Sequence, residues 1–278
     1  MDRRRRDARR RRRLSEHDLA ALSGGGNYRS PDALSGRHGS GDPVSDVSPA
    51  DTPSLIYARG REAVSDVVRS LDSAALAAPV AACPGWTVHD VVAHLTGVAT
   101  DAVNGVGPGH PIAPTMVEWT SRHVDDRRAQ ATTVVLREWE RSASQLEVML
   151  AKDDSPMPAV VMDLLCHEQD LRAATGRPGR RDTPGITIGS DLMAQRWASM
   201  IRSSRGASIS LIDDDADVWA GDAESSVTFR ADRFEFFRTT FGRRSRAQAE
   251  RRLSGTDEPD AYLQHLFVFG PAEHDLAE

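Results

Sequence analysis

Apolar side chains recur every three or four residues from position 54 onward. Between 54 and 76 they include Ile56, Val64 and Val68, and positions with this spacing share one face of an α-helix. The pattern stops at Ala78 and Pro79. The sequence therefore predicts a first amphipathic helix within 54–76.

The second helix has the clearest start signal in the chain. Thr87 stands three residues before Asp90, the spacing of a capping box, in which the two side chains bond to each other's backbone N–H groups. This predicts that the helix begins at Val88. A glycine and proline loop that opens with Gly105 predicts its end.

Two further helical patterns follow. One spans roughly 116–150, with a break expected near Asp125, and the other spans 159–175. The turn Gly-Arg-Pro-Gly at 176–179 is typical of a helix terminator. Four helices joined by loops predict an antiparallel four-helix bundle.

The character of the sequence changes after Pro184. A helical stretch near 190–203 is followed by short runs with strand-like composition and then by a Phe-rich helix. The strand-like runs are 207–212, 218–219 and 226–230. We therefore predict the fold class α+β, with a bundle domain at 54–185 and a small α+β domain at 186–278.

The first 53 residues differ from the rest of the chain in charge and composition. Residues 1–13 carry nine Arg and two Asp, a local charge of +7, which leaves −13 on the rest of a chain whose net charge is −6. Residues 14–53 are rich in Ser and Gly, and the low apolar content predicts a disordered tail. An acidic body is a poor nucleic-acid partner, so we expect nucleic-acid binding, if any, only through the Arg-rich tail.

Localisation and redox state follow from what the sequence lacks. No stretch reaches the roughly 20 apolar residues of a membrane helix, and no apolar segment of signal-peptide length follows the Arg run. The two cysteines, Cys83 and Cys166, are too few for a disulfide framework or a thiolate zinc site. We expect a cytoplasmic protein without a membrane partner.

Three side chains suggest a metal site. Asp163 and His167 are four residues apart on the fourth helix, so their side chains lie on one face, and His94 lies at the edge of the apolar stripe of the second helix. Two imidazoles and a carboxylate leave a metal one open position, and Asp170 or Glu168 would orient the histidines. The alternative is a helix-surface Asp–His pair beside an ordinary core histidine.

Two blocks of sequence carry a family resemblance. The stretch CPGWTVHDVVAHL at 83–95 and the stretch DLLCHEQDL at 163–171, with the Gly-Arg-Pro turn after it, resemble the mycothiol-dependent maleylpyruvate isomerase family, a branch of the DinB-like metal-binding bundles. Shorter similarities are Gly-Arg-Arg at 242–244 and Phe-Gly-Pro at 269–271. Relatives often have Glu where this chain has Asp163, so the acidic ligand is one methylene shorter.

The resemblance implies a chemistry. His94, Asp163 and His167 would hold a divalent metal, with zinc expected first, and the metal would bind the thiol of mycothiol and deliver a thiolate to an electrophilic or unsaturated acid. Arg243 or Arg238 would hold the substrate carboxylate, although a surface role for either arginine is the alternative. Cys83 is expected to serve packing.

Three functional hypotheses remain open at this point. The first is a mycothiol-dependent isomerase or thiol transferase. The second is a non-catalytic metal-binding or regulatory protein that keeps the bundle without turnover. The third is a nucleic-acid-associated protein that acts through residues 1–13.

Overall fold

The computed structural model describes residues 51–278. Its fold is α+β, as the sequence predicts: a helical bundle is followed by helices around a small mixed sheet. The predicted disordered tail falls almost wholly on residues 1–50, which lie outside the described residues. Among residues 51–278, no helix has the length and apolar character that crossing a membrane requires.

Four long helices and two shorter ones form the first part. The long helices α1, α3, α5 and α6 pack so that α1 and α3 each contact both α5 and α6, and the short α4 contacts α3. The helices are α1 (Pro53–Arg69), α2 (Ser73–Leu76), α3 (Val88–Asn104), α4 (Met116–Asp125), α5 (Thr132–Leu150) and α6 (Ala159–Ala174).

The predicted start of α3 is confirmed. Thr87 accepts a hydrogen bond from the backbone N–H of Asp90, and the Asp90 carboxylate accepts one from the backbone N–H of Thr87 at 2.9 Å. Gly105 ends the helix with a φ of 68°, a left-handed conformation that glycine adopts without steric cost. Both ends of the helix that carries His94 are therefore specified locally.

The predicted third helix is two helices, with the break where the sequence places it. The chain leaves α4 after Asp125 and enters α5 at Thr132. Arg127 Nη1 donates to the His123 carbonyl at 3.1 Å, which satisfies one of the last carbonyls of α4. The predicted first helix also ends early, at Arg69, and the short α2 follows it.

The second part contains the remaining helices and four short strands. The strand order is β2-β1-β3-β4, with β1 parallel to β3 and the other two pairs antiparallel. The two-residue β4 was not predicted. The elements are α7 (Pro184–Arg205), β1 (Ser210–Ile212), β2 (Val218–Gly221), β3 (Thr228–Arg230), α8 (Arg233–Thr240), α9 (Arg246–Glu250), β4 (Leu253–Ser254) and α10 (Pro259–Leu263).

An aromatic cluster packs the Phe-rich helix α8 on this sheet. The ring centroid of Phe236 lies 5.5 Å from that of Trp219 on β2, 5.8 Å from Trp197 on α7 and 6.0 Å from Phe229 on β3. These separations are those of favourable aromatic pairs. The cluster forms the centre of the second core.

The two parts pack closely where α7 begins. A Cβ at Gly185, in the first turn of α7, would lie 2.7 Å from Ile56 of α1 and 2.9 Å from Leu165 of α6. Only a residue without a side chain fits there, so α7 approaches both bundle helices closely. The described residues cluster as one compact unit, and the domain boundary between 185 and 186 stays a prediction.

Candidate metal centre

The three predicted ligand side chains lie together in the bundle. Nε2 of His94 on α3 is 3.4 Å from Oδ2 of Asp163 on α6. Nε2 of His167 is 3.5 Å from Oδ1 of the same carboxylate. One ligand atom from each residue lies within 4.8 Å of the others. The convergence is therefore present, and metal binding itself stays a prediction.

The packing of α3 on α6 produces this arrangement. Asp163 and His167 are one helical turn apart and face the same way, and His94 meets them across the α3–α6 contact. His94 and His167 are 3% and 7% exposed, whereas the side chain of Asp163 is 30% exposed. The cluster therefore opens to solvent on its carboxylate side.

One oxygen of Asp163 indicates that these residues fit a cation. Oδ2 of Asp163 is itself buried and has no hydrogen-bond partner among residues 51–278, which is costly for an acceptor. Two ligand atoms that each lie about 2.0–2.1 Å from a tetrahedral zinc are roughly 3.3 Å apart. The separations of 3.4 and 3.5 Å from Asp163 to the two histidines are close to that value.

The electrostatics of the cluster also suit a cation. Burial opposes ionisation of Asp163, but the neighbouring His94 and His167 lower the pKa of this carboxyl to about 2. Burial lowers the pKa of His94 below its ordinary value. At neutral pH the carboxylate is therefore charged and the His94 imidazole is neutral, and these are the protonation states of metal ligands.

Asp170 supports His167 from the opposite side of the ring. Nδ1 of His167 lies 2.8 Å from Oδ2 of Asp170, which agrees with the predicted orienting role. The carboxylate also accepts from Arg238 at 2.6 Å and from Arg243 at 2.7 Å. Although burial raises the pKa of Asp170, Arg243 and Arg238 hold it well below the usual range. A charged acceptor thus fixes the His167 ring.

Cys83, His167 and Asp170 form a second group with metal-ligand spacing. Sγ of Cys83 lies 3.4 Å from Oδ2 of Asp170, so the thiol has a polar contact that the sequence did not suggest. Burial and the charge of Asp170 raise the pKa of Cys83 well above its usual value. Asp170 is already paired with two arginines, whereas Oδ2 of Asp163 has no hydrogen-bond partner among residues 51–278. The first group is therefore the better cation site.

The sequence analysis missed two residues beside the site: His123, which contacts His94, and Asp101, which contacts His123. Nδ1 of His123 on α4 lies 3.3 Å from Nδ1 of His94, and Nε2 of His123 lies 2.9 Å from Oδ2 of Asp101. His123 is fully buried. One signal was present in the sequence: Asp101 follows His94 by seven residues, which is two helical turns and places both on one face of α3.

Trp86 forms an aromatic wall over the ligand histidines. Its ring centroid lies 5.0 Å from that of His94 and 6.1 Å from that of His167. The tight turn before α3, in which Gly85 has a φ of 85°, directs the indole toward the bundle. The indole of Trp86 therefore packs the turn against the two ligand imidazoles and covers them.

The two candidate substrate arginines differ in accessibility. Arg238 is fully buried, and its guanidinium donates to Asp170, to Glu278 and to the Cys166 carbonyl. The Arg243 side chain is 11% exposed and donates to both oxygens of Asp170. Arg243 is therefore the candidate of the two that solvent can reach, and its catalytic role stays a prediction.

The helical part of the chain matches a known domain family. Residues 57–172 match the family model described as Mycothiol maleylpyruvate isomerase N-terminal domain. This segment belongs to that domain family. The match contains His94, Asp163 and His167, and it confirms the family resemblance of the two sequence blocks.

Two solved structures are similar to this chain. They are crystal structures of the mycothiol-dependent maleylpyruvate isomerase, at 15% sequence identity, and of a histidine-to-alanine mutant of it, at 14%. Each match covers 69% of this chain and 88% of the other chain, with a TM-score of 0.45. Among curated proteins, none matches this sequence. The assignment of residues 57–172 to the domain family rests on the family model.

Proposed function

We propose that this protein is a metal-dependent enzyme of the isomerase or thiol-transferase type that uses mycothiol. His94, Asp163 and His167 would hold one divalent ion, zinc in the first instance. The observation that carries the proposal is the unpartnered Oδ2 of Asp163, which faces Nε2 of His94 at 3.4 Å. The family of residues 57–172 supports mycothiol as the thiol.

The bound ion would lower the pKa of a thiol ligand and so supply a thiolate nucleophile at neutral pH. The protein side chains orient the metal ligands and leave an approach for the thiol. Asp170 fixes the ring of His167 through Nδ1, which directs Nε2 toward the cluster. The 30% exposure of the Asp163 side chain leaves an approach for the thiol and the substrate.

Arg243 is the proposed contact for the carboxylate of an unsaturated or electrophilic acid. Its guanidinium is close enough to contribute to the pKa of both His94 and Asp163. Arginine has five N–H donors, and those of Arg243 contact Asp170, the Phe241 carbonyl and Cys83 among the described residues. One N–H of Nη1 remains for a substrate oxygen.

The proposed location is the cytoplasm, where low-molecular-weight thiols keep cysteines reduced. Cys83 and Cys166 are both free thiols in the structure. Neither thiol is proposed as the nucleophile, because burial raises the pKa of each, that of Cys166 to about 12.

The test combines elemental analysis with an activity assay on the full chain. We expect one zinc per chain and turnover of maleylpyruvate that requires added mycothiol, and we expect neither with His94→Ala. A wild-type protein that binds no divalent metal would overturn the proposed site. One metal per chain without thiol-dependent turnover of maleylpyruvate or of a model electrophile would favour the non-catalytic metal-binding alternative.

A further inference from the structure

We propose that Asp101 and His123 are positioning residues that hold the proton of His94 on Nδ1 and thereby present Nε2 of His94 to the metal. This inference rests on the proposed metal site. It concerns a hydrogen-bonded chain that runs from Asp101 on α3 through His123 on α4 to His94, on the side of His94 opposite Asp163.

The hydrogen-bonded chain begins at the Asp101 carboxylate. Its Oδ2 lies 2.9 Å from Nε2 of His123, and because a carboxylate only accepts hydrogen bonds, Nε2 of His123 carries a proton. The same oxygen accepts from Trp119 Nε1 at 2.8 Å and from Arg122 Nη2. These two donors from α4 fix the position of the carboxylate.

The next link joins the two imidazoles. Nδ1 of His123 and Nδ1 of His94 are 3.3 Å apart, so one of them donates and the other accepts. The Arg122 guanidinium is already paired with Asp101, which disfavours a second positive charge on the adjacent His123 ring. His123 is therefore the acceptor at Nδ1, and His94 is the donor.

The consequence appears at the other nitrogen of His94. A neutral imidazole carries a single N–H, so a proton on Nδ1 leaves a lone pair on Nε2. That lone pair points toward Oδ2 of Asp163 at 3.4 Å, and this oxygen has no hydrogen-bond partner among residues 51–278. Two acceptors that face each other without a proton are the arrangement that a cation completes.

The packing of α4 on α3 holds this series of hydrogen bonds in place. A Cβ at Gly97 would lie 2.4 Å from two ring atoms of His123, so the ring lies directly against the helix backbone. His123 has no solvent exposure, and Trp119 contacts its ring with centroids 4.5 Å apart. The ring therefore cannot turn away from His94 without moving a helix.

The test compares two substitutions of His123 in the full chain. His123→Phe keeps a ring but removes the acceptor, and we expect it to weaken zinc binding by about 10- to 100-fold, the usual effect of losing such a partner. His123→Gln supplies a carbonyl oxygen, and we expect it to recover most of the affinity. Chelator competition measures the dissociation constants. His89→Phe, on α3 like His94 but bonded to Thr132, is the control and should bind zinc as the wild type does.

A second measurement does not depend on metal. The ¹⁵N spectrum of metal-free wild-type protein reports which nitrogen of His94 is protonated, and we expect Nδ1–H. A proton on Nε2, or an unchanged zinc affinity in folded His123→Phe, would overturn the inference. A wild-type protein that shows Nδ1–H and binds no zinc would support the hydrogen-bonded chain while overturning the proposed function.

Discussion

Nδ1 of His167 lies 2.8 Å from Oδ2 of Asp170, one turn further along α6. Asp170 is also the counter-ion of Arg238 and Arg243, which come from the second part of the chain. The orientation of a proposed metal ligand therefore depends on residues about 70 positions away. The second part thus helps to complete the site in the bundle.

Removal of the Asp170 charge should destabilise the fold strongly. Asp170→Asn leaves the fully buried Arg238 without its carboxylate partner on α6, and breaking a buried ion pair costs about 3–5 kcal/mol. Urea denaturation measures the change. The control is Asp66→Asn, because Asp66 is 80% exposed in a surface pair with Arg69 and should cost less than about 1 kcal/mol. Equal effects would contradict the role of Asp170.

Substitution of the ligands should remove the metal in a graded way. We expect His94→Ala and His167→Ala each to abolish stoichiometric metal, because each deletes a nitrogen ligand. Asp163→Asn should weaken binding less completely, since the amide keeps a carbonyl oxygen. Elemental analysis after dialysis measures the content. His89→Ala is the matched control on α3, and full metal content in both histidine variants would refute the site.

Local signals in the sequence were sufficient for much of the fold. The Thr87–Asp90 capping box and Gly105 specify both ends of α3 through contacts within a few residues. The spacing of Asp163 and His167 likewise determines that they share a face of α6. Such features depend on the chain within one or two turns, so the sequence alone predicts them.

Contacts between helices were harder to predict. The His123 contact with His94 depends on how closely α4 approaches α3, and Gly97 permits that approach. The sequence analysis predicted a packing role for Cys83. It did not predict the contact of Cys83 with Asp170, because 87 positions separate the two residues. The two-residue β4 depends on pairing with β3 rather than on its own composition. These features follow from tertiary packing.

The stability of the second part should depend on pH through Glu235. Its carboxylate accepts two hydrogen bonds from Arg244, both at 2.7 Å, and forms an ion pair with Arg252, whose Nη2 lies 2.9 Å from Oε1. Although burial opposes the charge, these hydrogen bonds lower the pKa of Glu235 below its usual value. The unfolded chain therefore binds this proton at higher pH than the folded chain does, and stability falls as pH falls.

The measurement compares wild type with Glu235→Gln by urea denaturation from pH 7 to pH 3. At pH 7 we expect Glu235→Gln to lose about 1.5–3 kcal/mol, the size of a hydrogen bond to a charged group. The difference should shrink below about pH 4.3, where glutamate in the unfolded chain takes up its proton. A difference that stays constant across this range would show that the charge of Glu235 is not responsible.

The addition of a methyl group at Gly97 should weaken zinc binding, although Gly97 is not a metal ligand. In Gly97→Ala the new Cβ would lie 2.4 Å from the ring of His123, so α4 must move away from α3. Overpacking of this kind costs about 1–3 kcal/mol, against a gain of up to roughly 1 kcal/mol from replacing Gly by Ala in a helix. We expect a net loss of stability together with weaker zinc binding, measured by urea denaturation and chelator competition.

Gly107→Ala separates a local clash from a general effect of replacing glycine. A Cβ at Gly107 meets nothing within 4 Å among the described residues, so this control should keep both stability and zinc affinity. If Gly97→Ala bound zinc as tightly as Gly107→Ala while remaining folded, the position of His123 would not control His94. Because the three heavy atoms nearest to a Cβ at Gly97 all belong to His123, a selective loss of affinity would act through His123.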